Sequence, residues 1–261
     1  MIRIATWNVN SIKARIGNVL DWLTTAAPDV VLLQELKCEA DAFPRLEIES
    51  LGYDAAVVGQ KSYNGVALLS KRSLSDVAHG LPGDDDDPQA RWIEATVDGD
   101  LRIACLYLPN GNPAPGPKYD YKLAWMDRMA DRVRALLAMD RPFVLGGDYN
   151  VIPAAIDCDD PDAWKDDALY MLETRRKWRT LVNLGLTDAL RAVDAAPGRY
   201  TYWDYQRRAW QSDRGIRIDH FLLSPGAADR LHDCTIDREP RAKEKASDHT
   251  PVVLSLREAG D

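Results

Sequence analysis

Two polar residues stand at the end of an apolar run in the middle of the chain. Phe-Val-Leu-Gly-Gly leads into Asp148, Tyr149 and Asn150. A short apolar run next to glycines predicts a buried strand, which we place at residues 143–150. Because side chains alternate along a strand, Asp148 and Asn150 are expected on one face. The carboxylate can take a proton or bind a hard cation there, unless both residues simply cap the strand as turn formers.

Other strand-like runs end in the same kinds of residue. They contribute Asn8, Glu35, Asp219, Asp248 and His249. Ligands of α/β proteins bind outside such strand ends, and oxygen-rich side chains suit Mg²⁺ or Mn²⁺. A zinc site would need clustered His and Cys, which this sequence lacks.

Ser247-Asp248-His249 does not predict a catalytic triad. Chain neighbours cannot relay a proton to one another in the geometry that a triad needs. His249 therefore needs an orienting group from elsewhere, for which Asp219 is our candidate. The alternative is a structural histidine beside a turn. The sequence also lacks the H-E-x-x-H, G-x-S-x-G and G-x-x-x-x-G-K-[ST] motifs, which argues against the corresponding hydrolases and nucleotide-binding proteins.

Hydrophobic periodicity predicts the same order of elements in both halves of the chain, strand, helix and strand. The predicted strands cover residues 2–10, 30–35, 53–58, 66–70, 92–97, 101–108, 143–150, 216–224 and 251–256. The predicted helices cover residues 15–25, 43–50, 119–139 and 173–184. This pattern predicts one α/β domain over residues 1–261, with sheets inside and helices outside.

The composition is that of an ordinary globular domain, with 46% hydrophobic and 28% charged residues among 261. We expect neither a signal peptide nor a membrane span, since no apolar run approaches 18 residues. The four scattered cysteines are typical of reduced thiols in a cytoplasmic protein. The net charge of −8 argues against nucleic-acid binding by overall charge but allows a local basic face.

An aromatic segment with interspersed arginines follows residue 198. Rings among arginines suit base stacking and phosphate contacts, although packing in the core is the simpler role for Tyr202 and Trp210. The segment's aromatic and basic residues are Arg199, Tyr200, Tyr202, Trp203, Tyr205, Arg207, Arg208, Trp210, Arg214 and Arg217. Further candidates for phosphate contact are Lys61, Arg91, Lys118 and Lys122.

Several motifs together resemble the exonuclease III type of apurinic/apyrimidinic endonuclease, within the endonuclease/exonuclease/phosphatase superfamily. They are Trp-Asn-Val-Asn from Trp7, Leu-Gln-Glu ending at Glu35, Gly-Asp-Tyr-Asn-Val-Ile-Pro from Gly147, Arg-Ile-Asp-His-Phe-Leu-Leu-Ser from Arg217 and Ser-Asp-His-Thr-Pro-Val from Ser247. Residues 59–67 and 201–205 resemble the DNA-repair branch more narrowly. Ala246 departs from the proline common before Ser-Asp-His, and residues 157–165 match less well.

The resemblance implies a four-layer α/β sandwich of two similar sheet halves flanked by helices, and a role for each matched residue. It implies Mg²⁺, with Mn²⁺ as a substitute, bound by Glu35 with help from Asn8 and Asp248, and with Asp148 and Asn150 also at the metal site. Asp148 would deprotonate the attacking water. Asn150 would hold the phosphate or the water, His249 oriented by Asp219 would donate to a phosphate oxygen, and Tyr107 would bond the phosphate or assist the leaving oxygen. The implied DNA contacts are Lys61, Arg91, Asn110, Lys118, Trp203, Arg207, Arg214 and His249.

The expected activity is hydrolysis of duplex DNA 5′ to abasic sites, with 3′→5′ exonuclease and 3′-end-cleaning activity. The expected partner is double-stranded DNA with abasic sites or with recessed or blocked 3′ ends, bound by a monomer. One alternative is a phosphatase that acts on a small phosphorylated molecule, against which the arginine-aromatic segment argues. The other alternative is a catalytically silent DNA- or protein-binding module. Such a module would be expected to lose one of the polar residues at the strand ends, and none is lost here.

Overall fold

Twelve strands form two mixed sheets in the computed structural model, which describes residues 1–260. The strands are β1 (Ile2–Asn8), β2 (Val30–Gln34), β3 (Asp54–Val58), β4 (Val66–Ser70), β5 (Leu74–His79), β6 (Trp92–Val97), β7 (Leu101–Tyr107), β8 (Phe143–Asp148), β9 (Thr187–Asp188), β10 (Asp219–Leu223), β11 (Leu231–Ile236) and β12 (Val252–Leu256). One sheet has the order β11-β12-β1-β2-β4-β3, and the other has the order β5-β6-β7-β8-β10-β9.

Helices connect and cover the strands. The helices are α1 (Ile12–Ala26), α2 (Arg45–Glu49), α3 (Pro117–Ala138), α4 (Pro161–Trp164), α5 (Leu172–Asn183), α6 (Ala189–Val193) and α7 (Pro225–Ala228). Three short 3₁₀ turns lie at Ala40–Ala42, Ala155–Asp157 and Glu239–Ala242. Within residues 1–260, no helix combines the length and the apolarity that crossing a membrane requires.

The two sheets share one plan. Each has a single parallel pair at its centre, β1 with β2 and β7 with β8, and antiparallel partners outside it. Helix α1 joins the first pair and helix α3 joins the second, as the crossover of a parallel pair requires. The repeated order of strand, helix and strand predicted from the sequence is therefore confirmed.

Apolar residues fill three interfaces between four layers. Ile4, Leu32 and Phe221 belong to the cluster between the sheets. Trp22 packs in the cluster under α1, and Trp125 packs in the cluster under α3. The predicted four-layer sandwich is confirmed, with the helices outside and the sheets face to face.

Three strands escaped the sequence prediction, β5, β9 and β11, and each lies at a sheet edge. β5 and β11 are each the first strand of a sheet, and most of their side chains are exposed. Edge strands carry polar and charged residues, so they lack the apolar run on which the prediction depended. The predicted helix at 15–25 also begins too late, because Ser11 caps α1 by accepting a hydrogen bond from the backbone N–H of Ala14.

Candidate active site

The predicted polar groups meet where the two central parallel pairs end. Asn8 is paired with Gln34, so Glu35 follows directly beside it. In the other sheet, Asp148 is paired with Tyr107 on one side and with Asp219 on the other. The ends of four parallel strands and the start of antiparallel β10 therefore converge on one edge of the sandwich.

A cavity of about 360 Å³ opens at this edge. Its lining includes the predicted residues Glu35, Tyr107, Asn110, Asp148, Asn150, Asp248 and His249. Asn112, Trp164, Asp167 and Tyr202 also line it, and the sequence did not single out the first three. The predicted site residues from both halves of the chain thus surround a common space.

Asn8 joins the two carboxylates of the site. Its Nδ2 atom lies 2.8 Å from Oε1 of Glu35 and 2.9 Å from Oδ2 of Asp148. Its Oδ1 atom accepts a hydrogen bond of 3.0 Å from the backbone N–H of Asn10. That oxygen has a second lone pair, so Asn8 positions the two carboxylates and its predicted role as a metal ligand stays a prediction.

Both carboxylate oxygens of Glu35 have donors nearby. The hydroxyl of Tyr107 lies 2.9 Å from its Oε1 atom, and the Lys37 ammonium lies 2.8 Å from its Oε2 atom. Burial opposes ionisation, but Lys37 and the Asn8 amide outweigh it and hold the pKa of Glu35 below its ordinary value. Lys37 was not predicted, and its only signal was a basic residue two positions after Glu35.

A buried pair of His249 and Asp219 faces Asp148. Nδ1 of His249 lies 2.8 Å from Oδ2 of Asp219, and Nε2 lies 3.8 Å from Oδ2 of Asp148. Burial disfavours the charged ring, but Asp219 and Asp148 outweigh it and raise the pKa of His249 to about 10. Burial raises the pKa of Asp148 to about 7, while the charge of His249 opposes that rise. Nε2 of a protonated His249 is thus a donor, and Asp148 is a carboxylate suited to accepting a proton near neutral pH.

Asn150 reaches the site by a different route from the one predicted. Strand β8 ends at Asp148, and Asn150 has a left-handed φ of 47°, so the two side chains do not share a strand face. Instead, the backbone N–H of Asn150 donates to Oδ1 of Asp148 at 2.9 Å, which closes a tight turn. The Asn150 amide then donates to the Leu108 carbonyl and accepts from Nδ2 of Asn110 at 3.2 Å.

The donor set fits a hard divalent cation. One ligand atom each from Glu35, Asp148 and His249 lies within 4.8 Å of the others. The two carboxylates are oxygen donors beside each other in a mostly buried setting, where a cation would offset their negative charge. Asp248 lines the cavity but does not belong to this cluster among the described residues, and its Oδ1 atom accepts from Nδ2 of Asn10 at 3.0 Å.

Two predicted DNA contacts in the arginine-aromatic segment are wrong, because the two side chains are buried. Trp203 is 0% exposed and donates its indole N–H to Asp213, so it cannot stack on DNA as placed. Arg217 is 1% exposed and pairs with Asp157 and Asp188, so it holds the fold rather than a phosphate. Aromatic spacing in the sequence could not separate core rings from surface rings.

The burial of Tyr202 and Lys122 is the reverse of what the sequence suggested for each. Tyr202 was expected in the core, yet it lines the cavity with its ring 5.0 Å from the ring of His249. Lys122 was a candidate for phosphate contact, yet it is 0% exposed. The burial of each residue depends on tertiary packing that periodicity does not report.

The other predicted contacts lie on or near the surface. Lys61, Lys118, Arg207 and Arg214 are exposed. Arg91 is half-buried, with its guanidinium 4.8 Å from the ring centre of Tyr107. A wider cavity of about 950 Å³, lined in part by Arg207 and Arg214, shares two lining residues with the first one, Trp164 and Asp167. The two cavities therefore adjoin at Trp164 and Asp167, and we call them together the trough. Its lining is mixed in charge, because the wider cavity also has the aspartates Asp159, Asp160, Asp204 and Asp213.

Comparisons with known proteins agree with this arrangement. Residues 5–249 match the endonuclease/exonuclease/phosphatase family. Exodeoxyribonuclease III of Haemophilus influenzae is 31% identical over 98% of this chain and 100% of its own length. The structure of the 3′ phosphatase NExo from Neisseria, bound to a product DNA hairpin, superposes with a TM-score of 0.96 at 40% identity, covering 99% of this chain and 100% of that one. An AP endonuclease from Archaeoglobus fulgidus gives 0.95 at 35% identity, with the same coverage.

The chain belongs to the endonuclease/exonuclease/phosphatase family. Within that family it is a DNA-repair nuclease of the exonuclease III type, as the motifs of the sequence indicated.

Proposed function

We propose that this nuclease hydrolyses the phosphodiester 5′ to abasic sites in duplex DNA and removes nucleotides or blocking groups from 3′ ends. The observation that carries this proposal is the meeting of Asp148, His249 and Glu35 in one cavity. Phosphodiester hydrolysis needs a base for water, donors for the phosphate oxygens and positive charge near them. The cavity supplies groups for each of these tasks.

Asp148 is the proposed base. It lies at the end of a buried strand with its oxygens held by Asn8 and by the backbone of Asn150. Its pKa, raised to about 7 mainly by burial, suits proton acceptance from water at neutral pH. Asn150, with Asn110 against it, is the proposed holder of the phosphate or the water.

His249 and Tyr107 are the proposed donors. The ring of His249 is fixed through Nδ1 by Asp219, which leaves Nε2 directed toward Asp148 and the cavity. Tyr107 holds Glu35 through its hydroxyl, and burial raises its pKa well above the ordinary value. It therefore stays protonated, and its one O–H would turn from Glu35 to donate to the phosphate or the leaving oxygen.

Mg²⁺ is the proposed cofactor, with Mn²⁺ as a substitute, and Glu35 and Asp148 are the residues that would hold it. When bound, the cation would stabilise negative charge on the phosphate oxygens. Asn8 keeps the two carboxylates side by side. Lys37, which pairs with Glu35, balances part of their charge.

The trough is the proposed DNA surface. Arg207 and Arg214 line it, and the exposed Lys61 and Lys118 complete the predicted basic set. We also propose that the protein works as one domain over residues 1–261, as a monomer and in the cytoplasm. The site draws groups from both sheets, which supports a single domain, and the four cysteines are free, which supports a reducing compartment.

The test compares three substrates: a duplex with an abasic-site analogue, a duplex with a 3′-phosphate, and a phosphoinositide. Each is incubated with Mg²⁺ and with EDTA, using the wild type and Glu35→Ala. We expect Mg²⁺-dependent cleavage of both DNA substrates by the wild type only. Hydrolysis of the phosphoinositide alone would replace the proposal with the small-molecule phosphatase, and full activity of Glu35→Ala would remove the metal assignment.

A further inference from the structure

Lys122 lies on α3 behind the cavity and is 0% exposed. Its Nζ atom donates to three backbone carbonyls, those of Pro109 and Asn110 at 3.1 Å and that of Asn150 at 2.6 Å. Three acceptors match the three N–H groups of an ammonium. A buried ammonium is costly unless it is satisfied in this way, and burial still lowers the pKa of Lys122 to about 7. The three carbonyls therefore hold the amino group by geometry.

The carbonyls belong to two separate loops that both reach the cavity. One loop follows β7 and carries Asn110, and the other follows β8 and carries Asn150. The side chains of these asparagines bond to each other at 3.2 Å, and both line the cavity. Lys122 therefore clamps the backbones of the two loops, while their side chains meet in front of it.

Gly111 makes room for the Lys122 side chain. A Cβ atom at Gly111 would lie 2.7 Å from Cδ of Lys122 and 3.2 Å from Cβ of Ala168. The φ of Gly111 is +92°, in a region that residues with a side chain rarely adopt. The glycine that follows Asn110 is thus matched to the lysine that fixes the same loop.

We propose that Lys122 is a positioning residue of the nuclease, which fixes the Asn110–Asn150 pair relative to Asp148 and so aligns the phosphate for attack. Lys122 touches no reacting group, and it acts through the backbones that carry the two amides. This inference rests on the proposed nuclease function, because the alignment matters only if the pair holds the phosphate or the water.

The test measures the single-turnover cleavage rate, the DNA dissociation constant and the urea unfolding midpoint of Lys122→Met. Methionine keeps an extended side chain but removes the three donors. We expect the cleavage rate of the folded protein to fall about tenfold or more, because small misplacements of reacting groups cost up to about 10²-fold. DNA affinity is expected to stay close to that of the wild type, because the buried lysine makes no surface contact.

Arg102→Met is the matched control. Arg102 is a mostly buried basic residue near the start of β7, at the end of the strand away from the cavity. It donates to the Asp76 carbonyl and pairs with Glu94. Its loss should lower the unfolding midpoint without lowering the cleavage rate of the folded protein. Equal rate losses in the two variants would show that general loosening causes the effect, and would overturn the positioning role.

Gly111→Ala provides a second variant that keeps the lysine. Its Cβ would push on the Lys122 side chain, so we expect the same selective loss of rate. Combined with Lys122→Ala, whose side chain ends at Cβ, it should cost less than the sum of the single losses. If Lys122→Met does not fold, Gly111→Ala decides, and a wild-type rate for it overturns the inference.

The two proposals fail in different ways. If the wild type cleaves none of the DNA substrates in Mg²⁺, the proposed function is wrong. If the wild type cleaves DNA and the Lys122→Met variant cleaves it equally fast, only the proposed role of Lys122 is wrong.

Discussion

His249 and Asp219 form a closed pair, with Nδ1 of the ring 2.8 Å from Oδ2 of the carboxylate. Asp219 is placed by β10, where it stands opposite Asp148 in the antiparallel register. His249 comes 30 residues later in the chain, just before β12. The pairing fixes the ring orientation and keeps the proton on Nε2 available to the cavity.

The first prediction is that this pair acts as a unit. Asp219→Asn should slow cleavage by mis-orienting the ring, and His249→Ala should slow it by removing the donor, by about 10²-fold or more. The double variant should be little slower than His249→Ala alone, because the two residues serve one task. Single-turnover rates of the four proteins on an abasic duplex measure this, and multiplicative losses would separate the two roles.

The second prediction distinguishes the two roles that Asn8 can have. Asn8 donates to Glu35 and Asp148, so Asn8→Ala should remove two charge-assisted hydrogen bonds, each of which contributes about 1.5–3 kcal/mol to stability. Compared with Asn8→Ala, Asn8→Asp should be less stable in EDTA and should cleave more slowly in Mg²⁺, since it sets a third carboxylate against the other two.

The check is a Mg²⁺ titration of cleavage together with thermal unfolding in EDTA. A metal ligand would behave in the opposite way, because Asp is the stronger oxygen ligand for Mg²⁺. If Asn8→Asp needs less Mg²⁺ than Asn8→Ala and cleaves faster, the predicted role of metal ligand is supported.

The central strands and the site were predictable because burial leaves a clear pattern. β2, β4 and β8 are buried along their whole length, so their sequences are continuous apolar runs. Glu35 stands out because it directly follows the run of β2, and Asp148 stands out because it ends the run of β8. Their convergence follows from the parallel pairs that the repeated order of strand, helix and strand requires.

Side-chain direction and burial after the strand ends were not predictable. Asn150 turns into the cavity through a left-handed residue and a bond to Asp148, which no alternation rule describes. Trp203 and Tyr202 are neighbours of similar character, and packing alone decides that the first is buried and the second lines the cavity. Lys122 has the sequence signature of a surface helix residue, and its three carbonyl partners come from distant loops.

The third prediction concerns salt. Affinity for duplex DNA should fall steeply with salt despite the net charge of −8 if Arg207 and Arg214 contact phosphates. Arg207→Ser and Arg214→Ser should each flatten the slope of log affinity against log salt by about 0.9 if each contacts one phosphate.

Arg134→Ser is the control for the salt experiment. Arg134 is exposed near the far end of α3 and pairs with Asp131, so its loss should leave the slope unchanged. An equal change in all three variants would mean that overall charge, rather than the trough, sets the salt response.

The central claim is that Asp148 accepts the proton of the attacking water, and Asp148→Asn tests it most directly. Asparagine keeps the size of the side chain but cannot take the proton. We expect the single-turnover rate on an abasic duplex in Mg²⁺ to fall by about 10²-fold or more. DNA affinity measured on the same duplex should be retained or tightened, since one negative charge facing the phosphate is removed. A variant that binds the duplex and cleaves it at the wild-type rate would contradict the account and would move the search for the base to Asp248.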